Sequence, residues 1–278
     1  MLPSELKTIA SQVRRDIIRM TANAKSGHPG GSLGCADFLV ALYFEILRAK
    51  PENFTRSGKR EDMFFLSNGH ISPVWYSVLA RKGYFPLQEL TTFRMLHSKL
   101  QGHPAEGLSG VRIASGSLGQ GLSIAIGAAM AKKMDKDPNI VYVLTGDGEL
   151  NEGQNWEAIL FASANKVDNV IAVVDYNKKQ IDGSTDDVCA LGDLKAKFQA
   201  FDWKVLEMDG NNMQDILQTV KTAQTNLFKA SPICILMHTE MGKGVDFMEG
   251  THKWHGTPPN EEQAARALMQ LEETLGDY

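Results

Sequence analysis

Val141-Tyr142-Val143-Leu144-Thr145-Gly146-Asp147-Gly148-Glu149-Leu150-Asn151-Glu152-Gly153 opens the stretch that decides the fold, and Val170-Ile171-Ala172-Val173-Val174-Asp175-Tyr176-Asn177-Lys178-Lys179-Gln180-Ile181-Asp182-Gly183 closes it. The order read from it is strand, tight glycine turn, helix, strand, loop. Ile140 to Leu144 and Val170 to Val174 are short apolar runs, the mark of strands buried on both faces. Gly146 and Gly148 bracket Asp147, so the backbone can turn sharply there and approach a ligand closely. Glu152 and Glu157 fall early in the intervening helix, where its dipole favours acids. Trp156, Ile159, Leu160 and Ala164 recur at helical spacing and are expected to form its packing face.

Asn177 follows Asp147 by 30 positions. A parallel strand–helix–strand crossover consumes about that length. Both side chains are therefore expected at the carboxyl ends of adjacent parallel strands, the edge where open α/β sheets bind ligands. A carboxylate, a side-chain amide oxygen and a nearby backbone carbonyl make an all-oxygen half-shell. Hard cations such as Mg²⁺ take such ligands and complete their coordination with phosphate oxygens. The competing reading is an ordinary turn, with glycines serving geometry and Asp147 capping the helix.

The flanking chain repeats the theme. An amphipathic helix over residues 4 to 24 keeps Leu6, Ile9, Ala10, Val13, Ile17 and Met20 on one face. Arg14, Arg15 and Arg19 are expected on its solvated side. The helix runs into a loop, Ser26-Gly27-His28-Pro29-Gly30-Gly31-Ser32-Leu33-Gly34, and a second helix is expected over 36 to 47. A strand over 62 to 66 ends in Ser67-Asn68-Gly69-His70, before a helix over 71 to 82 with Pro73 in its first turn. Gly102-His103-Pro104 repeats the earlier Gly-His-Pro. Ser115-Gly116-Ser117-Leu118-Gly119-Gln120-Gly121 then opens a small-residue helix, either a phosphate-binding start or a close helix contact. Strands are expected over 203 to 208 and 232 to 237, a helix over 213 to 225, a turn over 238 to 244, and a surface helix over 260 to 273. Five of the seven histidines, His28, His70, His103, His252 and His255, sit beside glycine or inside glycine-flanked loops, which favours one shared site. His97 and His238 read as structural.

Composition sets the outer bounds. A chain of 278 residues with 43% hydrophobic and 22% charged content can bury a sizeable core. A net charge of −4 offers no basic field for nucleic acid or an anionic membrane, so phosphorylated ligands need local groups. Cys35, Cys189 and Cys234 form no metal or disulfide pattern and read as core filler in a reducing compartment. The start Met1-Leu2-Pro3-Ser4 does not read as a signal peptide, and no run reaches the ~18 apolar residues of a membrane span. The expected location is cytoplasmic. No linker composition divides the chain, so one domain is expected over 1–278, with a short helical C-terminal tail.

These loops together resemble a known family. Gly-Asp-Gly followed at this distance by Asn is the thiamine diphosphate and metal motif. The ordered set S-G-H-P-G-G-S-L-G, L-S-N-G-H, G-H-P, S-G-S-L-G-Q-G, G-D-G-E-L-N-E-G, Y-N-K-K-Q-I-D-G and W-H-G is similar to the amino-terminal, diphosphate-binding part of transketolase, over nearly the whole chain. Two small departures are Ser115, where Thr is common, and Asn211, where His is frequent.

The resemblance implies an α/β fold, a mostly parallel sheet flanked by helices on both faces. It implies thiamine diphosphate with Mg²⁺ (or Ca²⁺) held by Asp147, Asn177 and the carbonyl of Lys179. The implied cofactor set is His70, Gly116, Ser117, Leu118, Gly148, Glu152, Ile181 and Met241, with Glu152 in a carboxylate relay between two sites. His28, His103 and His255, with His252 less constant in the family, would line a substrate channel and move protons. The implied reaction transfers a two-carbon ketol unit between a ketose phosphate and an aldose phosphate, as in the pentose phosphate pathway. A whole transketolase carries two further domains, which supply the glutamate that activates the cofactor and the arginines that hold the sugar phosphate. One half of a split enzyme is thus expected, active with a C-terminal partner subunit in an α2β2 assembly. The alternatives are a split enzyme for an unusual or sulfonated sugar, and a non-catalytic thiamine-diphosphate-binding module.

Overall fold

A computed structural model describes residues 1–278. The helices are α1 (Pro3–Ala24), α2 (Pro29–Gly34), α3 (Ala36–Ala41, continued by a π-helical turn Leu42–Ile46), α4 (Ser72–Lys82), α5 (Gln120–Met134), α6 (Gly153–Ala164), α7 (Thr185–Cys189), α8 (Leu194–Ala200), α9 (Met213–Thr225) and α10 (Glu261–Gln270). The strands are β1 (Met63–Leu66), β2 (Val141–Gly146), β3 (Val170–Tyr176), β4 (Lys179–Gln180), β5 (Gly183–Ser184), β6 (Lys204–Asp209) and β7 (Ile233–His238). Five of them form one sheet in the order β1-β2-β3-β7-β6, every neighbouring pair parallel. β4 and β5 make a separate antiparallel hairpin.

Alternation along each strand splits the apolar residues between two cores. Phe64, Leu66, Tyr142, Leu144, Ile171, Val173, Ile233 and Ile235 face one side, with residues of α1, α3, α4, α9 and α10. Met63, Phe65, Val141, Val143, Val170, Ala172, Cys234 and Leu236 face the other, with residues of α5, α6 and α8. The α/β class with helices on both faces is therefore as expected. No helix is long and apolar enough to cross a membrane.

Four expectations need correction. Arg14, Arg15 and Arg19 do not form a solvated face. Arg14 makes a two-pronged pair with Asp37 (2.6 and 3.3 Å) inside the core. Arg15 reaches Asp277 (2.7 and 2.9 Å) and the carbonyls of Leu268 and Leu271, and Arg19 reaches Asp277 (3.1 Å). The partners of Arg15 and Arg19 come from the far end of the chain, which helical periodicity does not report. α10 is correspondingly not a free surface helix, since Ala264 and Ala267 are buried against the α1 side.

In α6 the buried face is Asn155, Ala158, Ile159 and Ala162; Leu160 and Phe161 are exposed. The expected face was rotated because Asn155 is polar yet buried. Its amide donates to the carbonyl of Glu149 at 2.7 Å. The Gly-His-Pro loop is only partly a loop, because Pro29–Gly34 is helical with Pro29 in the first turn. Cys189 is exposed, whereas Cys35 and Cys234 are buried as expected.

Candidate cofactor and substrate site

The register pairs Gly146 with Asp175 across β2 and β3. Asp147 is the first residue past one strand, and Asn177 follows the end of the other. Both line one cavity of about 280 Å³ at the carboxyl edge of the sheet. Asp147 is 2% exposed. Its N–H donates to the Asp175 carbonyl at 3.1 Å. Its Oδ1 accepts from the Gly148 N–H at 2.7 Å and its Oδ2 from the Lys178 N–H at 2.6 Å. The Asn177 amide is oriented from both ends. Nδ2 donates to Asp175 Oδ2 (2.8 Å) and Oδ1 accepts from the Lys179 N–H (2.9 Å). Lys179 begins the β4–β5 hairpin, whose two-residue tip carries Ile181, 62% exposed and lining the same cavity.

The charge balance at this edge points to a cation. Asp147, Glu149 and Asp175 are all buried and line the cavity, and none is paired with Lys or Arg. Burial, reinforced by Asp175, pushes the Asp147 carboxyl up to about 7. Burial also raises Asp175, against hydrogen bonds from Thr239, Cys35 and Asn177. The buried Asn68 Oδ1 has no partner. A divalent cation would supply the missing positive charge. No three His, Cys, Asp or Glu side chains stand ready to ligate a metal anywhere in the chain. The donor set that fits is therefore the mixed one: the Asp147 carboxylate, the Asn177 amide oxygen and the Lys179 carbonyl.

Three glycine loops crowd around this edge. A Cβ on Gly69 would stand 2.6 Å from Ser115 Oγ and 2.9 Å from the Gly116 nitrogen, so the Ser67–His70 and Ser115–Gly121 loops touch because Gly69 has no side chain. Gly116, at φ +136°, lies against the His103 ring in the same way.

Four imidazoles complete the cavity. Ring centroids are 5.1 Å apart for His28–His70, 5.1 Å for His70–His255, 5.8 Å for His28–His255 and 6.3 Å for His28–His103. Burial, then the neighbouring His255, Arg94 and His103, lowers His28 to about 4. Burial lowers His70, His103 and His255 as well. The His28 and His255 Nδ1 atoms are buried without a partner, so each imidazole has a nitrogen free for a ligand.

The remaining candidates lie elsewhere. Gly116, Leu118 and Gly148 line the cavity; Ser117, Glu152, Met241 and His252 do not. Ser117 is exposed, and Glu152 is exposed as the residue capping α6. Met241 is 1% exposed and packs under Gly30, where a Cβ would come within 2.7 Å of its side chain. His252 begins the short 3-10 turn that leads to His255. His97 is exposed, and His238 is bonded to Glu207 at the surface (3.1 Å). Four lining residues were not singled out from sequence: Asn68, Glu149, Asp175 and Gln180. Asn68 lies inside the quoted Ser-Asn-Gly-His loop, but Asp175 is hidden at the end of an apolar strand run.

Comparison with known proteins agrees with this geometry. The family model of the transketolase thiamine diphosphate-binding domain matches residues 6–274. One of the two subunits of the apulose-4-phosphate transketolase of Phocaeicola vulgatus is 39% identical over 94% of this chain and 92% of its own length. The 6-deoxy-6-sulfo-D-fructose transketolase subunit SqwG of a Clostridium species is 39% identical over 96% of each chain. Human transketolase is 34% identical over 96% of this chain, which spans 42% of its length. Transketolase from Campylobacter jejuni superposes with a TM-score of 0.89 at 35% identity, over 98% of this chain and 43% of the other. The chain belongs to the transketolase family, in which it corresponds to the thiamine diphosphate-binding domain.

Proposed function

We propose that this chain is the N-terminal subunit of a split, thiamine-diphosphate-dependent transketolase that moves a two-carbon ketol unit between sugars. The observation that carries this reading is the meeting, in one cavity, of the mixed oxygen set on Asp147, Asn177 and Lys179 with four buried imidazoles. Thiamine diphosphate would supply the carbanion chemistry of the transfer, while the protein positions and tunes it. Asp147, Asn177 and the Lys179 carbonyl would hold Mg²⁺ (or Ca²⁺) against the diphosphate. Gly148 and His70 would meet the diphosphate oxygens, Gly116 and Leu118 the pyrimidine, and Ile181 the bend of the cofactor.

His28, His103 and His255 perform the proton work in this reading. At pH 7 their lowered basicity leaves them neutral. A neutral imidazole has one acceptor and one donor nitrogen, so it can take a proton from a sugar hydroxyl or give one to a carbonyl oxygen. The glutamate that activates the cofactor and the arginines that hold the sugar's anionic group would come from a partner subunit, in an α2β2 assembly.

The relatives bear on the sugar. Two that match this chain across at least 92% of their own length are named as subunits, and they act by name on apulose-4-phosphate and 6-deoxy-6-sulfo-D-fructose. That supports an unusual or sulfonated ketose as donor over an ordinary pentose phosphate. The test is to isolate the chain from its host, identify the protein that accompanies it, and combine both with thiamine diphosphate and Mg²⁺. Ketol transfer from one of these ketoses is expected. Silence from a folded pair with every donor would contradict the proposal.

A further inference from the structure

Glu149 stands in the 3-10 turn after β2 and is 2% exposed. It has no cationic partner; its carboxylate is filled by donors from three different loops. Oε1 accepts from the Ser67 hydroxyl, in the loop after β1, and from the Gly119 N–H at 2.8 Å, at the start of α5. Oε2 accepts from the Gly146 N–H at 3.0 Å, at the end of β2. Ser67 extends the chain of bonds, since its Oγ also accepts from the Gly121 N–H at 3.1 Å. The residue is held from behind as well, through the Asn155 amide on its carbonyl at 2.7 Å. Asn155 is itself fully buried on α6.

We propose that Glu149 is a positioning residue, a carboxylate staple that holds the Ser67–His70, Ser115–Gly121 and Gly146–Gly148 loops at the spacing a bound diphosphate cofactor needs. A carboxylate suits this task better than any neutral side chain. It offers only acceptors, and all three donors point at it. Hydrogen bonds to an ionised acceptor are also about twice as strong as neutral ones. The three loops carry His70, Gly116, Leu118 and Gly148, so the staple sets the distance between the diphosphate and pyrimidine ends of the cavity without filling either. The loop spacing stands on the bonds described; its consequence for cofactor binding rests on the function proposed above.

The test uses the full chain in two measurements. Backbone amide hydrogen exchange is followed without cofactor, and thiamine diphosphate binding is titrated at saturating Mg²⁺. Glu149→Gln keeps the shape but turns an NH2 group toward a donor. It is expected to speed exchange at Gly119 and Gly146 about tenfold or more and to weaken cofactor binding by a similar factor. Ser67→Ala removes one arm, and its effect is expected at Gly119 and Gly121 but not at Gly146. Ile216→Val, a core truncation on α9, serves as the control for general destabilisation and is expected to leave both readouts at the loops unmoved. Exchange in Glu149→Gln that rises evenly across the sheet, or not at all, would overturn the proposal. The exchange result decides this without cofactor; failure of the unaltered chain with its partner to bind thiamine diphosphate would count against the proposed function instead.

Discussion

Two clusters of buried charge lie in this molecule, and they are built on opposite principles. Beneath α1, every buried acid has a base. Asp37 pairs with Arg14, Asp16 with Arg81 and Ser77, and Asp277 with Arg15 and Arg19. At the carboxyl edge of the sheet, Asp147, Glu149 and Asp175 meet only backbone N–H groups, an amide, hydroxyls and a thiol. Burying a charge is costly unless a counter-charge accompanies it. The first cluster finds its counter-charges within the chain and serves as scaffold. The second leaves negative charge and free imidazole nitrogens facing a cavity, and that imbalance is what a cation and an anionic cofactor would complete.

The sharpest way to break this contrast is Asp147→Ala. Removing the one anionic ligand of the mixed set is expected to abolish Mg²⁺-dependent cofactor retention, a loss of at least about 100-fold in affinity. Calorimetric titration with and without EDTA measures it, and unchanged affinity would merge the two clusters into one kind. Next in size, His103→Ala is expected to lower ketol transfer in the reconstituted complex by about 10²–10⁴-fold, the range of general acid–base catalysis, with cofactor affinity preserved.

In the paired cluster, Asp16→Asn leaves Arg81 buried without its charge and should cost about 3–5 kcal/mol of stability by denaturant unfolding. It should leave the site's chemistry intact in whatever fraction remains folded. A selective loss of cofactor affinity in that variant would erase the distinction.

Smaller still is a pH effect. The folded-state basicity of His28 is depressed to about 4, below its value of 6.5 when unfolded. Protonation therefore favours the unfolded chain. Stability from this group should be level above about pH 6.5 and fall as pH drops toward 4, by at most ~1.4 kcal/mol per pH unit. Asp147, raised to about 7, contributes with the opposite sign over pH 3.8 to 7 when no cation is bound. The difference between unaltered chain and His28→Asn, each unfolded across pH 4 to 7, isolates the histidine. An unchanged slope would show that His28 is not buried neutral. The least effect is expected from His252→Ala, within about twofold in activity, because His252 does not line the cavity.

Much of the site was legible because its chemistry is written in local patterns. Thirty positions between Asp147 and Asn177 implied one crossover, and β2 and β3 are indeed adjacent and parallel with those residues just past their ends. Histidines flanked by glycine pointed to a shared cavity, and four of the five line it. What stayed hidden depends on partners distant in sequence. Arg15 reads as a solvent-facing helix residue until Asp277 is brought across from the other end of the chain. Asp175 ends an apolar strand, and Glu149 reads as an acid favoured by a helix start. Only the register of β2 against β3, and the approach of two other loops, reveal what each carboxylate holds. Met241 and Asn155 teach the same lesson, since the first packs beneath the site rather than in it and the second is polar yet buried.

The most direct test of the central claim is a crystal structure of the chain grown with thiamine diphosphate and Mn²⁺, with the metal located by its anomalous scattering. The account predicts one strong peak about 2.1–2.3 Å from an Asp147 carboxylate oxygen, the Asn177 amide oxygen and the Lys179 carbonyl, with the diphosphate reaching toward Gly148 and His70. A metal bound elsewhere, or a cofactor seated away from the carboxyl edge between β2 and β3, would contradict it.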